Sequence, residues 1–258
     1  MTIDYEKKGN YAVITINRPE ARNAVNGDVA NGIEDAIDRI EADDEVWVGI
    51  LTGARTEKGH IFSAGADLKM MSVDPGGMQT KRGGFGGITT RERTKPIIAA
   101  VDGPALAGGT EIVLSCDLVV ASETATFGIP EVKRNLVAAA GGLFRLPRKI
   151  PRNIAMELAL TGRLDFPAER AYHFGWVNRL CAEGQALATA EELAAQICEN
   201  APLAVRESRR IMIETTDQPD EIGWKESGDG IMKMFGTEDF NEGLTAFIEK
   251  RPPVWKGR

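Results

Sequence analysis

The sequence predicts an α/β fold, because short apolar strands alternate with amphipathic helices along most of the chain. Residues 11–17 (YAVITIN) are rich in β-branched side chains and end at a turn, which is typical of a strand. A helix is expected from about Asn26, since Val29, Ile33, Ile37 and Ile40 recur at helical spacing. Residues 46–52 and 96–101 are the next strand patterns.

Residues 72–93 show no convincing period. Pro75, a Gly76-Gly77 pair and the run GGFGG at 83–87 interrupt them. They predict a mobile loop with a short helix at its end. Two interpretations stay open, a surface excursion and a flap beside a ligand, because long loops in compact domains are often functional.

The second half of the chain is mostly helical by pattern, with a last strand at 176–180. A boundary is expected near residues 200–202, which divides the chain into a core of residues 1–200 and a helical region of residues 201–258. The second part is too short for a robust core, so it should pack on the first part or on another subunit. The predicted helices of this half are 141–146, 151–162, a short one after Pro167, 187–198, 203–215, 221–234 and 240–251.

Composition restricts the class of protein. A chain of 258 residues with 43% hydrophobic content can bury one large core, and its apolar runs are far shorter than the ~20 residues of a membrane helix. The N-terminus lacks a signal-peptide pattern, which indicates a cytoplasmic protein. A net charge of −7 argues against nucleic-acid binding.

The cysteines and histidines give no sign of a disulfide framework or a metal site. Three widely spaced cysteines, Cys116, Cys181 and Cys198, suit reduced thiols. Only His60 and His173 accompany them, without a Cys/His cluster, so no metal is expected.

The stretch from Gly103 to Gly142 holds the candidate chemistry. The Gly108-Gly109 pair opens an apolar helix whose first N–H groups have no intrahelical acceptor and favour a negatively charged oxygen. Glu111 lies in the first turn, where the helix dipole tends to keep a carboxylate ionised. Glu131 follows Pro130 beside apolar residues, and desolvation there would raise its pKa against the pull of nearby Lys133 and Arg134. By spacing alone, the two glutamates are more often a cap and a surface charge.

An ordered series of motifs gives the chain a resemblance to the enoyl-CoA hydratase/isomerase (crotonase) superfamily over nearly its whole length. The departure is at residues 134–139 (RNLVAA), where the family commonly has Leu-Gly and later a Pro-Gly pair. Asn135 tolerates a left-handed backbone, so the turn is expected to persist with an altered acyl pocket. The matching segments are 18–19 with 23–24, 62–69 (FSAGADLK), 95–111 (KPIIAAVDGPALAGGTE), 127–131 (FGIPE), 141–142, 145–147 (RLP), 160–162 and 242–251.

The resemblance implies a crotonase spiral of ββα repeats, followed by a helical trimerisation region. Such proteins bind acyl-CoA thioesters and assemble as homotrimers or as dimers of trimers, and CoA arrives as part of the substrate, so no separate cofactor is implied. Carried onto this sequence, the thioester oxygen would lie between the N–H groups of Ala64 and Gly108. Such donors would stabilise an enolate-like oxyanion.

The resemblance also implies a set of residues that bind CoA or the acyl group. Several have a second interpretation: Asp67 as the cap of a helix starting at Leu68, Arg22 and Lys250 as merely solvated cations, and Phe85 as a residue away from the acyl chain. The implied binding set is Arg22, Ala24, Ala64, Gly65, Ala66, Asp67, Leu68, Phe85, Gly108, Phe247 and Lys250.

Glutamates at both Glu111 and Glu131 resemble the family's hydratases, so the expected reaction is addition of water across the C2–C3 double bond of a 2-enoyl-CoA, with Glu111 placing the water and Glu131 exchanging the proton. The Phe85 segment and the last ten residues are similar to carnitinyl-CoA dehydratases of the family. Three alternatives therefore stay open: a carnitinyl-CoA dehydratase-like activity, an enoyl-CoA isomerase and a non-catalytic acyl-CoA-binding paralogue.

Overall fold

The computed structural model describes residues 2–57 and 59–258, and it places one six-stranded sheet at the centre of the fold. The eleven strands of the described residues are β1 (Ile3–Lys8), β2 (Tyr11–Ile16), β3 (Val48–Gly53), β4 (Gln79–Thr80), β5 (Gly84–Phe85), β6 (Ile97–Val101), β7 (Ala105–Leu106), β8 (Leu118–Ser122), β9 (Thr126–Gly128), β10 (Phe166–Pro167) and β11 (Arg179–Cys181).

The helices surround this sheet and account for most of the second half of the chain. They are α1 (Gly27–Ala42), α2 (Leu68–Met71), α3 (Gly108–Ser115), α4 (Gly142–Arg145), α5 (Arg152–Thr161), α6 (Ala168–His173), α7 (Ala186–Cys198), α8 (Pro202–Thr215), α9 (Asp220–Met234) and α10 (Glu238–Glu249), with 3₁₀ turns at Pro19–Ala21, Glu131–Arg134 and Leu146–Arg148.

The large sheet has the order β1-β2-β3-β6-β8-β11. The β1–β2 pair is an antiparallel hairpin, and every later pair is parallel. A second, three-stranded sheet has the order β10-β9-β7, in which β10 and β9 are antiparallel and β9 and β7 are parallel. Because β7 leads directly into α3, this second sheet sets where the N-terminus of α3 lies.

Both faces of the large sheet are buried, as the near-continuous apolar strands require. Alternate residues point to opposite sides: Ile14 and Leu51 belong to the larger core beneath α1, whereas Val13 and Ile50 face α7. The residues of α7 that meet the sheet are alanines (Ala186, Ala190 and Ala194), which allow a close approach of helix and sheet.

Most elements predicted from the sequence are present, with boundaries shifted by a residue or two. Asn26 caps α1 by accepting the Val29 N–H at 3.0 Å, where the helix was expected to begin. Strands β1, β8 and β9 were not predicted. Residues 61–66 pair only through isolated bridges, Ser63 with Ala105 and Ala66 with Val25.

The prediction of a mobile loop with a terminal helix at residues 72–93 was wrong. The segment forms the β4–β5 hairpin and buries Met78, Phe85 and Ile88, and no helix ends it. The hairpin is attached to α1, because the Glu34 carboxylate accepts the Gly83 N–H at 2.6 Å and the Thr80 hydroxyl. Its glycines allow close packing against neighbouring helices. The absence of a hydrophobic period in the sequence does not distinguish such a packed segment from a loose one.

The C-terminal helices are tied to the sheet region by buried ion pairs. Arg209 on α8 contacts the Asp117 carboxylate at 2.9 Å and the Arg93 carbonyl at 2.6 Å. The chain end folds back on α10, where Asp239 accepts two backbone N–H groups of the last residues. The proposed division at residue 200 stays a prediction. None of the helices in the described part of the chain has the length and apolar content that crossing a membrane requires.

The packing of the 72–93 segment is testable at Gly87. Its φ is +71° and an added methyl group would overlap the Ala30 carbonyl of α1, so Gly87→Ala should lower the free energy of unfolding by roughly 1–3 kcal/mol. Gly76→Ala in the same segment meets only the Asp74 side chain, 3.6 Å away, and should change stability by less than about 0.5 kcal/mol. Equal urea midpoints for both variants would contradict a fixed hairpin.

Candidate active site

Two backbone turns meet at the N-terminus of α3. Residues 62–63 run beside residues 104–106, with the Phe62 N–H on the Pro104 carbonyl at 3.0 Å and the Leu106 N–H on the Ser63 carbonyl at 2.9 Å. Gly65 has φ +86°, and a methyl group on it would lie 2.9 Å from the Gly108 nitrogen. Only glycine permits this approach, so the two turns are in direct backbone contact.

The structure corrects the assignment of the two N–H donors. The Ala64 N–H donates to the Arg22 carbonyl at 3.1 Å and is therefore not available to a ligand. The Ala66 and Gly108 N–H groups have no acceptor among the described residues. Gly65, with its positive φ, turns the chain between Ala64 and Ala66, which is why a donor assigned from the motif alone fell two residues too early.

Phe85 covers the Gly108 side of this turn. A methyl group at Gly108 would overlap the Phe85 ring, so the ring lies directly against the first residue of α3. Gly86 packs on Ile112, one turn further along the same helix. The β4–β5 hairpin thus forms an apolar wall beside the free N–H group, and Phe85 is part of the site.

Glu111 is held on the neighbouring side of α3. Its Oε1 accepts the Ala140 N–H at 2.8 Å and the Gly142 N–H at 2.9 Å, and the residue is only 4% exposed. Burial raises the pKa of the Glu111 carboxyl, while the two N–H donors and the charge of Arg145 counteract it. Desolvation therefore outweighs the helix N-terminus, on which the expectation of an ionised carboxylate rested.

Glu131 lies at the start of a 3₁₀ turn and faces the same site. Burial raises the pKa of Glu131 to about 7; the neighbouring Glu111 adds to the rise, and Arg134 lowers it by less. Its Oε2 is buried without a hydrogen-bond partner in the described parts of the chain. The predicted rise in the pKa of this carboxyl is confirmed, and Asn135, with φ +53°, adopts the left-handed turn expected of it.

The Glu111 charge contributes to the raised pKa of Glu131, so the two carboxyls lie within electrostatic reach of each other although they are twenty residues apart in sequence. Like charges held close disfavour double ionisation, so the pair tends to retain one proton near neutral pH. Such a pair can supply one base and one acid to the same ligand.

Other predicted residues line the entrance to this turn. Asp67 caps α2 by accepting the Lys69 N–H at 3.0 Å and pairs with Arg18 at 2.7 Å, as its interpretation as a cap requires. Ala24 is buried, whereas Arg22 and Leu68 are exposed. Among residues 2–57 and 59–258 the Arg22 side chain has no hydrogen-bond or ion-pair partner, and the Arg22 carbonyl accepts the Ala64 N–H.

Phe247 and Lys250 are not brought to the site within one chain. Both lie at the end of α10, Phe247 with 84% of its surface exposed and Lys250 in a left-handed cap with φ +55°. The described residues show no contact between either side chain and the carboxyl pair. A role for them in the same site would require a second copy of the chain.

The residues that hold Glu111 were missed by sequence reasoning. Ala140 and Gly142 act through backbone N–H groups, which carry no side-chain signature. Arg145 stands in the matched RLP motif, which was the one available signal, but a motif does not say what its arginine contacts.

Comparison with known proteins decides the family. The model of the family described as "Enoyl-CoA hydratase/isomerase" matches residues 6–258. This chain belongs to that family. Among its curated relatives, an enoyl-CoA hydratase (EchA19) of Mycobacterium tuberculosis is 40% identical over 98% of this chain and 96% of its own. A carnitinyl-CoA dehydratase of Salmonella heidelberg is 38% identical over 98% and 97%.

Solved structures of the family share the fold described above. An enoyl-CoA hydratase from M. tuberculosis superposes with a TM-score of 0.93 at 46% identity, covering all of this chain and 99% of that one. A probable enoyl-CoA hydratase/isomerase from Mycobacterium abscessus gives 0.92 at 50% identity, with the same coverage. The crotonase fold predicted from the motifs is confirmed.

Proposed function

We propose that this family member is an enoyl-CoA hydratase that adds water across the C2–C3 double bond of a 2-enoyl-CoA thioester. The observation that carries the proposal is the buried Glu111 and half-buried Glu131, whose charges interact, together with two backbone N–H groups that have no acceptor in the described part of the chain. Relatives named enoyl-CoA hydratase support it, since they match nearly the full length of the chain.

The N–H groups of Ala66 and Gly108 are the proposed oxyanion hole. Attack at C3 moves an electron pair from the double bond onto the thioester oxygen, which becomes enolate-like. Two fixed N–H donors stabilise that charge without reorganising, and removing one such donor typically costs about 3–4 kcal/mol. The dipole of α3 favours the same charge at Gly108.

The two carboxyls complete the reaction. Ionised Glu111 orients a water molecule and accepts its proton as the oxygen bonds to C3. Protonated Glu131 donates its proton to C2, and proton exchange with solvent then restores the pair. A pKa of about 7 makes Glu131 an effective proton donor at neutral pH. These steps move protons and one hydroxide only, so they require no cofactor besides the CoA of the substrate.

Substrate recognition is proposed to divide between the two ends of the thioester. Phe85 and the buried Ala138 are proposed to border the acyl group on either side of Glu111. Phe85 packs against α3, and Ala138 packs beside Gly142 in the loop that holds the Glu111 carboxylate. The exposed Arg22 and Leu68, with Gly65 and Ala24 of the first turn, lie where the CoA portion would enter.

We also propose a homo-oligomer, either a trimer or a dimer of trimers. The helices α8–α10 leave large apolar side chains exposed in the single chain, including Trp224 (79%) and Ile248 (77%). Exposed apolar surface of this kind is typical of a protein–protein interface, here with further copies of the chain. A neighbouring copy would also bring Phe247 and Lys250 to a CoA. Sedimentation should give three or six times the chain mass of 27.9 kDa. A mass of one chain would contradict the proposal.

A dehydratase acting on a polar acyl group is the second candidate. A relative named carnitinyl-CoA dehydratase is 38% identical over nearly the full length, and a solved carnitinyl-CoA hydratase of Mycobacterium avium matches at 41% identity with a TM-score of 0.75. The same carboxyls would act in reverse. A panel of short, long, branched and polar enoyl-CoA substrates, compared by kcat/KM, separates the two.

Replacing either carboxyl should remove most of the activity. Glu111→Gln and Glu131→Gln should each lower kcat for hydration of crotonyl-CoA by roughly 10²–10⁴-fold, because each removes one proton-transfer group. Hydration is followed through loss of the absorbance of the conjugated thioester. The matched control is Glu123→Gln, which alters an exposed glutamate outside the site. A Glu131→Gln enzyme at the wild-type rate would remove Glu131 from the mechanism.

Ala66 gives a test of the corrected oxyanion hole. Ala66→Pro deletes the N–H and should lower kcat/KM by roughly 10²–10³-fold, whereas Ala66→Gly keeps the donor and should stay within about tenfold of wild type. Thermal unfolding of both variants checks that the turn persists. Equal activities of the two folded variants would mean that the Ala66 N–H does not contact the reacting oxygen.

A further inference from the structure

Arg145 joins the three segments that form the site. Its Nη2 donates to the Thr89 carbonyl at 2.7 Å, at the end of the segment that carries Phe85. Its Nη1 donates to the Ser115 hydroxyl at 2.8 Å, on α3, and more weakly to the Ala140 carbonyl at 3.4 Å. One half-buried guanidinium therefore crosslinks the Phe85 segment, the helix of Glu111 and the loop at residues 138–142.

The loop that Arg145 holds is the one that holds Glu111. The Ala140 carbonyl accepts a hydrogen bond from Arg145, and the Ala140 N–H donates one to the Glu111 carboxylate. The Ser115 hydroxyl, which accepts a second hydrogen bond from Arg145, in turn donates to the Glu111 carbonyl at 2.7 Å. Arg145 is thus linked to the side chain of Glu111 through Ala140 and to the backbone of Glu111 through Ser115.

The charge of Arg145 is not neutralised by contact. Its three acceptors are uncharged, and within residues 2–57 and 59–258 no carboxylate forms an ion pair with it. The two neighbouring cations differ, because Arg93 pairs with Asp117 at 3.1 Å and Arg148 with Asp217 at 3.6 Å. The Arg145 charge lowers the pKa of the Glu111 carboxyl and, besides it, that of the buried Cys116 thiol.

We propose that Arg145 is a positioning residue: its guanidinium fixes the 138–142 loop whose N–H groups hold the Glu111 carboxylate, and its charge adds to those hydrogen bonds in favouring an ionised Glu111. The inference deepens the proposed function and rests on it. The two carboxyls are therefore unequal: Glu111 accepts two N–H groups and stays ionised as the base, whereas Glu131, whose Oε2 has no hydrogen-bond partner among the described residues, stays protonated as the acid.

The other charges facing the pair do not supply this asymmetry. Arg134 acts on Glu131 and favours ionisation of that carboxyl, which opposes the required arrangement. Arg93 and Arg148 influence Arg145 rather than either carboxyl directly, and Cys116 is a buried thiol whose raised pKa keeps it neutral. Arg145 is accordingly the cation that favours an ionised Glu111.

The kinetic test compares Arg145→Gln and Arg145→Lys with the control Arg148→Gln. Hydration requires Glu111 ionised, so activity falls as the pH drops through the pKa of Glu111. Removing the nearby cation raises that pKa, so the acid limb of the kcat profile should move up by roughly one pH unit in Arg145→Gln. The kcat maximum should fall at least about tenfold with a smaller change in KM, because general acid–base help is lost and CoA contacts are not.

Arg145→Lys separates charge from geometry. Lysine keeps the positive charge but, as a single ammonium, cannot reproduce the three-way crosslink of the planar guanidinium. It should lower kcat while its pH limbs remain at the wild-type positions. Arg148→Gln changes an exposed arginine three residues away and should leave the profile unchanged.

A second measurement locates the proton without relying on turnover. Infrared spectra taken about one pH unit below the pKa of Glu131 should show a protonated carboxyl band that Glu131→Gln removes. In the double variant Arg145→Gln/Glu131→Gln the remaining band, that of Glu111, should disappear at a higher pH than in Glu131→Gln alone, since loss of the cation raises the pKa of Glu111. Thermal unfolding of every variant confirms that folded protein is compared.

The outcomes separate this inference from the proposed function. If Arg145→Gln and Arg145→Lys lose stability and activity alike while their pH limbs and carboxyl bands match wild type, Arg145 is only a structural crosslink and the inference is overturned. If wild type hydrates no enoyl-CoA but the carboxyl band of the double variant disappears at a higher pH than that of Glu131→Gln, the inference about Arg145 and Glu111 holds and the proposed reaction fails.

Discussion

The backbone contact between the turn at Gly65 and the first residue of α3 is the constraint on which the site depends. A side chain at Gly65 would overlap the Leu106 carbonyl and the Ala107 side chain, and one at Gly108 would overlap Phe85. Because neither position carries a Cβ, the two segments approach closely, and the N–H groups of Ala66 and Gly108 on these adjoining turns have no acceptor among the described residues. Two unpaired donors side by side suit an anionic oxygen.

Burial then gives the acids their properties. Glu111 and Glu131 would be ordinary surface carboxyls in water, but burial in the fold desolvates them and raises both pKa values. The residues that tune this pair are mostly main-chain N–H groups and one arginine without an acid partner. The chemistry of the site therefore comes as much from surroundings as from the two glutamates.

The packing of the site into the body of the fold explains why its parts stay in place. Glu34 on α1 anchors the hairpin, Arg145 anchors the loop and Asp67 with Arg18 anchors the turn before α2. Each uses charge-assisted hydrogen bonds to backbone or to a single counter-charge, and such bonds are stronger than neutral ones. The site is thus built from short irregular segments that rigid helices and strands hold at several points.

The sequence by itself determined the α/β class, the strands at residues 11–16 and 97–101, the start of a helix near Asn26 and the two glutamates, since these depend on local pattern and on motifs. Tertiary structure decided the rest. Only contacts between distant segments show that the Ala64 N–H is occupied, that the Ala66 N–H has no acceptor in the part of the chain that is described, and that Arg145 reaches the loop on Glu111. The burial of Met78, Phe85 and Ile88 in the 72–93 segment is likewise a matter of tertiary packing. Hydrogen bonds of backbone groups follow from how the chain crosses itself, and no side-chain pattern encodes them.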